Sequence, residues 1–157
     1  MSLIRFVAMP TEDARKYQRG EADAYGMTPE RKTSDGGGVP CRHSLKQVAA
    51  GSDYLVLAYR PFPALQPYAE TGPVFIHAEE CERAEETDIL PDMIRTTPDF
   101  ILRGYGYDDR IVYGTGGVTD THKICTRAHE LLQRDDVAYV HMRSARNNCY
   151  QMRIERA

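Results

Sequence analysis

Apolar and polar positions along this chain fall into two periods, one of two residues and one of three to four, and these set the predicted elements. Ile4-Arg5-Phe6-Val7-Ala8 reads as a first strand. Pro10-Thr11-Glu12-Asp13 then opens a short helix: Thr11 can cap it, two acids occupy the first turn where the helix dipole favours them, and Gly20 stops it. Tyr54–Arg60 carries apolar residues on both faces, which predicts a central strand, and Pro61, Pro63 and Pro67 end it. Val74–Ala78 is a short strand with Val74, Ile76 and Ala78 on one face and Phe75 and His77 on the other. Phe100–Tyr105 and Arg110–Thr115 flank Asp108-Asp109 as a hairpin. Thr119-Asp120-Thr121 opens an amphipathic helix ending near Arg134, with Ile124, Ala128, Leu131 and Leu132 at helical spacing. Val137–Arg143 and Cys149–Ile154 are the last strands. Residues 20–43 read as a long polar loop and Glu79–Asp88 as a solvated acidic one. Strands cluster without regular strand–helix alternation. This pattern predicts an α+β fold, a mainly antiparallel sheet of about six to seven strands with two helices, in a single domain over residues 1–157.

Charge narrows the partners. A formal net charge of -3 supplies no basic field for nucleic acid or an anionic membrane, although Arg143, Arg146, Arg153 and Arg156 form a local basic strip. The longest apolar runs, such as Tyr54–Tyr59, are too short to span a bilayer. The first nine residues are interrupted by Arg5 and lack the apolar stretch of a secretory signal, so a cytoplasmic protein is expected. The four cysteines, Cys41, Cys81, Cys125 and Cys149, are scattered without a Cys-x-x-Cys pair, and free thiols are expected rather than a disulfide framework. Cys125 falls on the apolar stripe of the later helix, as a small buried hydrophobe would. Oligomeric state leaves no mark on the sequence.

Candidate chemistry gathers between Asp35 and Cys81. Cys41, His43, His77 and Cys81 offer the thiolate and imidazole donors that zinc takes, but Cys-x-His and His-x-x-x-Cys match no recognised finger or ribbon, so no metal is assigned from spacing. Cys41 lies beside Arg42 and His43, and a nearby cation lowers a thiol pKa; no orienting group or oxyanion site accompanies it. Arg60, Arg103 and Arg143 sit in strands with Tyr59, Tyr105, Tyr139 and His141, where guanidinium forks can meet a carboxylate or phosphate. The glycines at 36–38 and in Gly114-Thr-Gly116-Gly117 match no nucleotide fingerprint, and nothing in the chain names a cofactor. These residues together point to a polar pocket for a small anionic molecule. Cys41, Arg42, Tyr59, Arg60, Tyr68, Arg143, Arg146, Asn147 and Tyr150 are expected to line it, with Arg60 and Arg143 holding the anion. His43, His77 and Glu70 are the candidates for proton transfer. The alternatives are a zinc- or thiol-dependent enzyme using the Cys41/His43/His77/Cys81 cluster, and a non-catalytic interaction protein.

The segments Val39-Pro-Cys-Arg-His43, Leu57-Ala-Tyr-Arg-Pro-Phe62 and Pro67-Tyr-Ala-Glu-Thr-Gly-Pro-Val-Phe-Ile-His-Ala78 resemble a bacterial family known as domain of unknown function 1203, as does the ending Arg146-Asn-Asn-Cys-Tyr150 with Arg153–Ala157. The resemblance implies a small single-domain protein and brings no activity, cofactor or catalytic residue with it.

Overall fold

The structure, a computed structural model, describes residues 3–157. Its strands are β1 (Ile4–Val7), β2 (Glu30–Thr33), β3 (Asp53–Tyr59), β4 (Gly72–His77), β5 (Asp99–Tyr105), β6 (Gly117–Asp120), β7 (Tyr139–Ser144) and β8 (Tyr150–Arg156). The helices are α1 (Thr11–Gln18), α2 (Asp92–Arg95) and α3 (Ile124–Leu132), the last entered through a 3-10 turn at Thr121–Lys123. The α+β architecture is as expected, and every named strand pair is antiparallel. The strands do not form one sheet, however: five make the order β1-β8-β7-β5-β6 and three make β2-β3-β4.

The differences have local causes. β2 lies inside the expected loop because its four residues, Glu30-Arg-Lys-Thr33, are all exposed and carry no apolar position to betray an edge strand. The expected Asp108-Asp109 hairpin is replaced by a longer excursion in which β5 pairs with β6, leaving only a bridge from Tyr105 to Ile111. The Thr115 hydroxyl takes the Gly104 N–H there, at 2.9 Å, so one ladder bond is made by a side chain. Thr11 does not cap α1; Pro10 stands at that position and the Thr11 hydroxyl turns to His43. Cys125 is exposed, one residue off the stripe that buries Ile124, Ala128, Leu131 and Leu132. None of the described helices is long and apolar enough to cross a membrane.

β7 is buried along both faces, since each is covered. Val140 and Met142 join Leu102, Met152, Ile154 and Phe6 in the core beneath α3. The other face of the same strands is aromatic and basic: Tyr139, His141 and Arg143 on β7, Arg103 and Tyr105 on β5, and Arg153 on β8, with Arg103 and Arg153 both opposite His141 in register. A β-bulge then changes the alternation. Met152 faces Met142, but Tyr150 faces Arg143, so the extra residue Gln151 turns the Tyr150 ring onto the aromatic side. There it joins a second core with Tyr59, Leu55, Leu57, Val74, Ile76 and Cys41, closed by Ala14 and Tyr17 of α1.

Candidate functional site

The loop from Val39 to Val48 folds back on itself: Cys41 N–H donates to the Lys46 carbonyl and Leu45 N–H to that of Cys41. Its first arm lies beside β4, with Arg42 N–H donating to the Phe75 carbonyl. Cys41 is therefore fixed against the C-terminal end of the strand that carries His77. Beyond β4 the chain turns back and brings up Cys81. The helix α1 holds that turn from outside. Gln18 Nε2 donates to the carbonyls of His77 and Glu79 at 3.0 and 2.9 Å, and Arg15 donates to the Cys81 carbonyl at 2.9 Å. Three donors that are far apart in sequence thus converge. The Cys41 and Cys81 sulfurs and a ring nitrogen of His77 all lie within 4.8 Å of one another.

Backbone N–H groups surround the Cys41 sulfur, and an imidazole lies against that of Cys81. Cys41, wholly buried, accepts from the backbone N–H of Ser44 at 3.4 Å and of His77 at 3.3 Å. Cys81 Sγ stands 3.1 Å from Nδ1 of the buried His43, whose Nε2 is 2.9 Å from the Thr11 hydroxyl. With that hydroxyl donating to Nε2, Nδ1 carries the proton and donates to sulfur. Ser44 Oγ lies 3.5 Å from His77 Nδ1. In the metal-free cluster the two sulfurs share one proton. Donation from Cys81, with help from His77 and Ser44, outweighs burial and pulls the Cys41 thiol down to about 3, while the same contact pushes Cys81 well up. His77 is raised by its hydrogen bond to Cys41, and burial lowers His43. These contacts favour the thiolate at Cys41 and raise the pKa of the His77 imidazole beside it.

The remaining predicted residues occupy four other places. Glu70 bridges two arginines: one carboxylate oxygen is 2.6 Å from Arg103 Nη1 and the other 3.1 Å from Arg143 Nη2. Arg143 also donates to the Asn148 carbonyl at 2.9 Å. Tyr59, Arg60 and Tyr150 line a cleft between α1, the proline-rich segment after β3, and the aromatic face of the large sheet. Arg42, Arg146 and Asn147 line a different cleft, near α2 and Cys149. Arg42 spends its guanidinium on the carbonyls of Tyr150 and Pro40, both at 2.7 Å, and burial lowers its pKa to about 10. Arg146 pairs with Asp99 at 3.1 Å, and the Tyr68 hydroxyl meets that of Tyr113 at 2.8 Å. Thr11, Ser44 and His141 were outside the predicted set. No spacing rule links Thr11 to His43, whereas the alternation Tyr139-Val-His141-Met-Arg143 did place His141 on the polar face.

Residues 38–156 match a family model described as a protein of unknown function (DUF1203). The span includes all three donors, and α1, which clamps them, lies before it. No curated protein and no solved structure matches the chain.

Proposed function

The chain belongs to the family of proteins of unknown function DUF1203, and we propose that it binds a zinc-class metal ion through Cys41, His77 and Cys81. The observation that carries this reading is the convergence of two sulfurs and one imidazole nitrogen within 4.8 Å. Two thiolates at that separation repel each other unless a cation lies between them. Backbone N–H groups serve the Cys41 sulfur, and a cation between the sulfurs would take the place of the proton they share. Three protein donors are one short of the four that zinc usually takes, and His77 and Cys81 are only partly buried. Zinc held by these residues would supply Lewis-acid chemistry, polarising a bound oxygen or acidifying bound water. His43 acts through Cys81, orienting its sulfur, and Thr11 in turn fixes the His43 ring.

The test is elemental analysis of reduced protein prepared without a histidine tag or chelator. The expected content is about one equivalent of metal, lost in Cys41→Ser and His77→Ala, and cobalt in its place should show thiolate charge-transfer absorption. Metal-free protein that takes up neither zinc nor cobalt overturns the reading. Under mild oxidation it would be replaced by a dithiol couple if Cys41 and Cys81 reversibly form a disulfide.

A second reading, binding of a small anion, is favoured by the Tyr59–Arg60–Tyr150 cleft. Among the described residues, Lys16 and Arg60 on its wall form no ion pair with an acid. Saturable stabilisation by an added anion, weakened in Arg60→Ala, is the expected result.

A further inference from the structure

His141 is the least explained side chain in the protein. It is wholly buried, and neither ring nitrogen has a hydrogen-bond partner. It is enclosed by four rings, those of Tyr105, Tyr139, Tyr150 and Phe62, with centroids 4.7, 5.0, 4.8 and 5.1 Å away. Burial, reinforced by the charges of Arg143, Arg153 and Arg103, holds it neutral. A neutral imidazole has one donor and one acceptor, and leaving such groups buried and unpaired forfeits the hydrogen bonds they make in water. Buried orphans of this kind call for a water, an ion or a ligand.

The ring lies just beneath the floor of the Tyr59–Arg60–Tyr150 cleft, whose volume of about 550 Å³ is of the size that holds a small organic molecule. Three cations, Lys16, Arg60 and Arg153, and two carboxylates, Asp13 and Glu155, line the cleft. Asp13 accepts from the Tyr59 hydroxyl at 2.9 Å. Glu155 is taken by Arg5 and Arg153, at 2.9 and 2.6 Å. Lys16 and Arg60 remain as cations without an acid, Arg60 donating only to the Phe62 carbonyl at 3.3 Å. The rest of the lining is Val7, Ala8 and three prolines beside the largely buried rings of Tyr17, Tyr59, Phe62 and Tyr150. Arg153 itself stands over Tyr139, its guanidinium carbon 3.7 Å from the ring centroid, so its charge is directed at a π face.

Resting on the small-anion reading of this cleft, we infer that its ligand is an aromatic carboxylate. The carboxylate sits with Lys16 and Arg60, the flat body stacks among Tyr59, Tyr150 and Phe62, and a polar atom of the ligand meets His141. Phe62 covers the imidazole from a segment with no regular structure, so turning that ring aside exposes the orphan nitrogens without disturbing a strand. A bare phosphate or acetate would satisfy the two cations but leave the aromatic walls and His141 unused.

The experiment is calorimetric titration of the full chain at low salt with benzoate, 4-hydroxybenzoate, acetate and inorganic phosphate. Benzoate and 4-hydroxybenzoate should bind saturably and at least about tenfold more tightly than acetate or phosphate, because the ring buries apolar area that those anions lack, and the hydroxylated compound should bind better of the two, because its hydroxyl meets an unpaired His141 nitrogen. Arg60→Ala should weaken both aromatic acids at least about tenfold, as expected for a lost charge-assisted contact. His141→Phe should remove the preference for the hydroxylated acid while leaving the protein as stable as before or more so, because it deletes two orphan groups from an aromatic cage. A merely structural histidine would instead lower stability and leave affinity unchanged. Equal binding of all four anions overturns the aromatic inference and keeps the small-anion reading. Absence of binding by any of them overturns both. If His141→Phe does not fold, Arg60→Ala, a change at the cleft wall, still decides whether the carboxylate sits where the inference places it.

Discussion

Glu70→Gln tests the electrostatics of the buried face directly. One carboxylate satisfies two guanidinium groups: Arg103 with 19% side-chain exposure and Arg143 with 5%, while Glu70 itself is 32% exposed. Substitution by glutamine keeps the shape and removes the charge, leaving Arg143 uncompensated in an almost dry position with its Nε already unpartnered. Breaking a buried pair costs about 3–5 kcal/mol and an exposed one about 0.2–1 kcal/mol. Water can reach Glu70, so the cost should fall between these, at about 2 kcal/mol. For a chain of this length that corresponds to a fall of about 4–8 °C in melting temperature. The assay is urea unfolding of reduced, metal-free protein, where the midpoint should drop with an unchanged m-value. Arg143→Met in the Glu70→Gln background should recover part of the loss, since it removes the stranded charge. A change within about 0.5 kcal/mol, or an Arg143→Met effect identical in the two backgrounds, refutes the reasoning.

Other outcomes follow from the same geometry. Metal-free protein should show one thiolate by ultraviolet absorption at neutral pH, fading as the pH approaches about 3 and absent in Cys41→Ser; a band that appears only in the ordinary thiol range would contradict it. Because the Cys41 pKa is depressed on folding, the unfolded chain binds the extra proton between the two values, and metal-free stability should fall as pH drops through that window. His43→Ala should weaken metal binding about 10- to 100-fold through the lost hydrogen bond to Cys81, measured by competition with a chromophoric chelator; unchanged affinity would remove His43 from the site. Leu102→Ala, fully buried beneath α3, should cost about 2–5 kcal/mol in the same urea assay, and a loss under about 1 kcal/mol would mean the core relaxes around the gap.

The sequence by itself determined the elements whose pattern is local. The strand at Tyr54 reads from its double-sided apolar run, and the buried stripe of α3 from its helical spacing. It also concentrated thiols and imidazoles between Cys41 and Cys81, because residue type is visible without a fold. What it could not determine depends on pairing between distant segments. β2 has no apolar position, so nothing local marks it as an edge of a second sheet. The spacing of Cys41, His77 and Cys81 resembles no finger because the three come together through a loop laid on β4 and a turn clamped by α1, not through a single compact motif. The Gln151 bulge decides the surroundings of His141: without the extra residue, strict alternation would carry Tyr150 to the α3 side with Met152. Side-chain periodicity is fixed by adjacent peptide units, whereas register, bulges and the meeting of sheets are set by contacts far apart in the chain, and those contacts form both candidate sites.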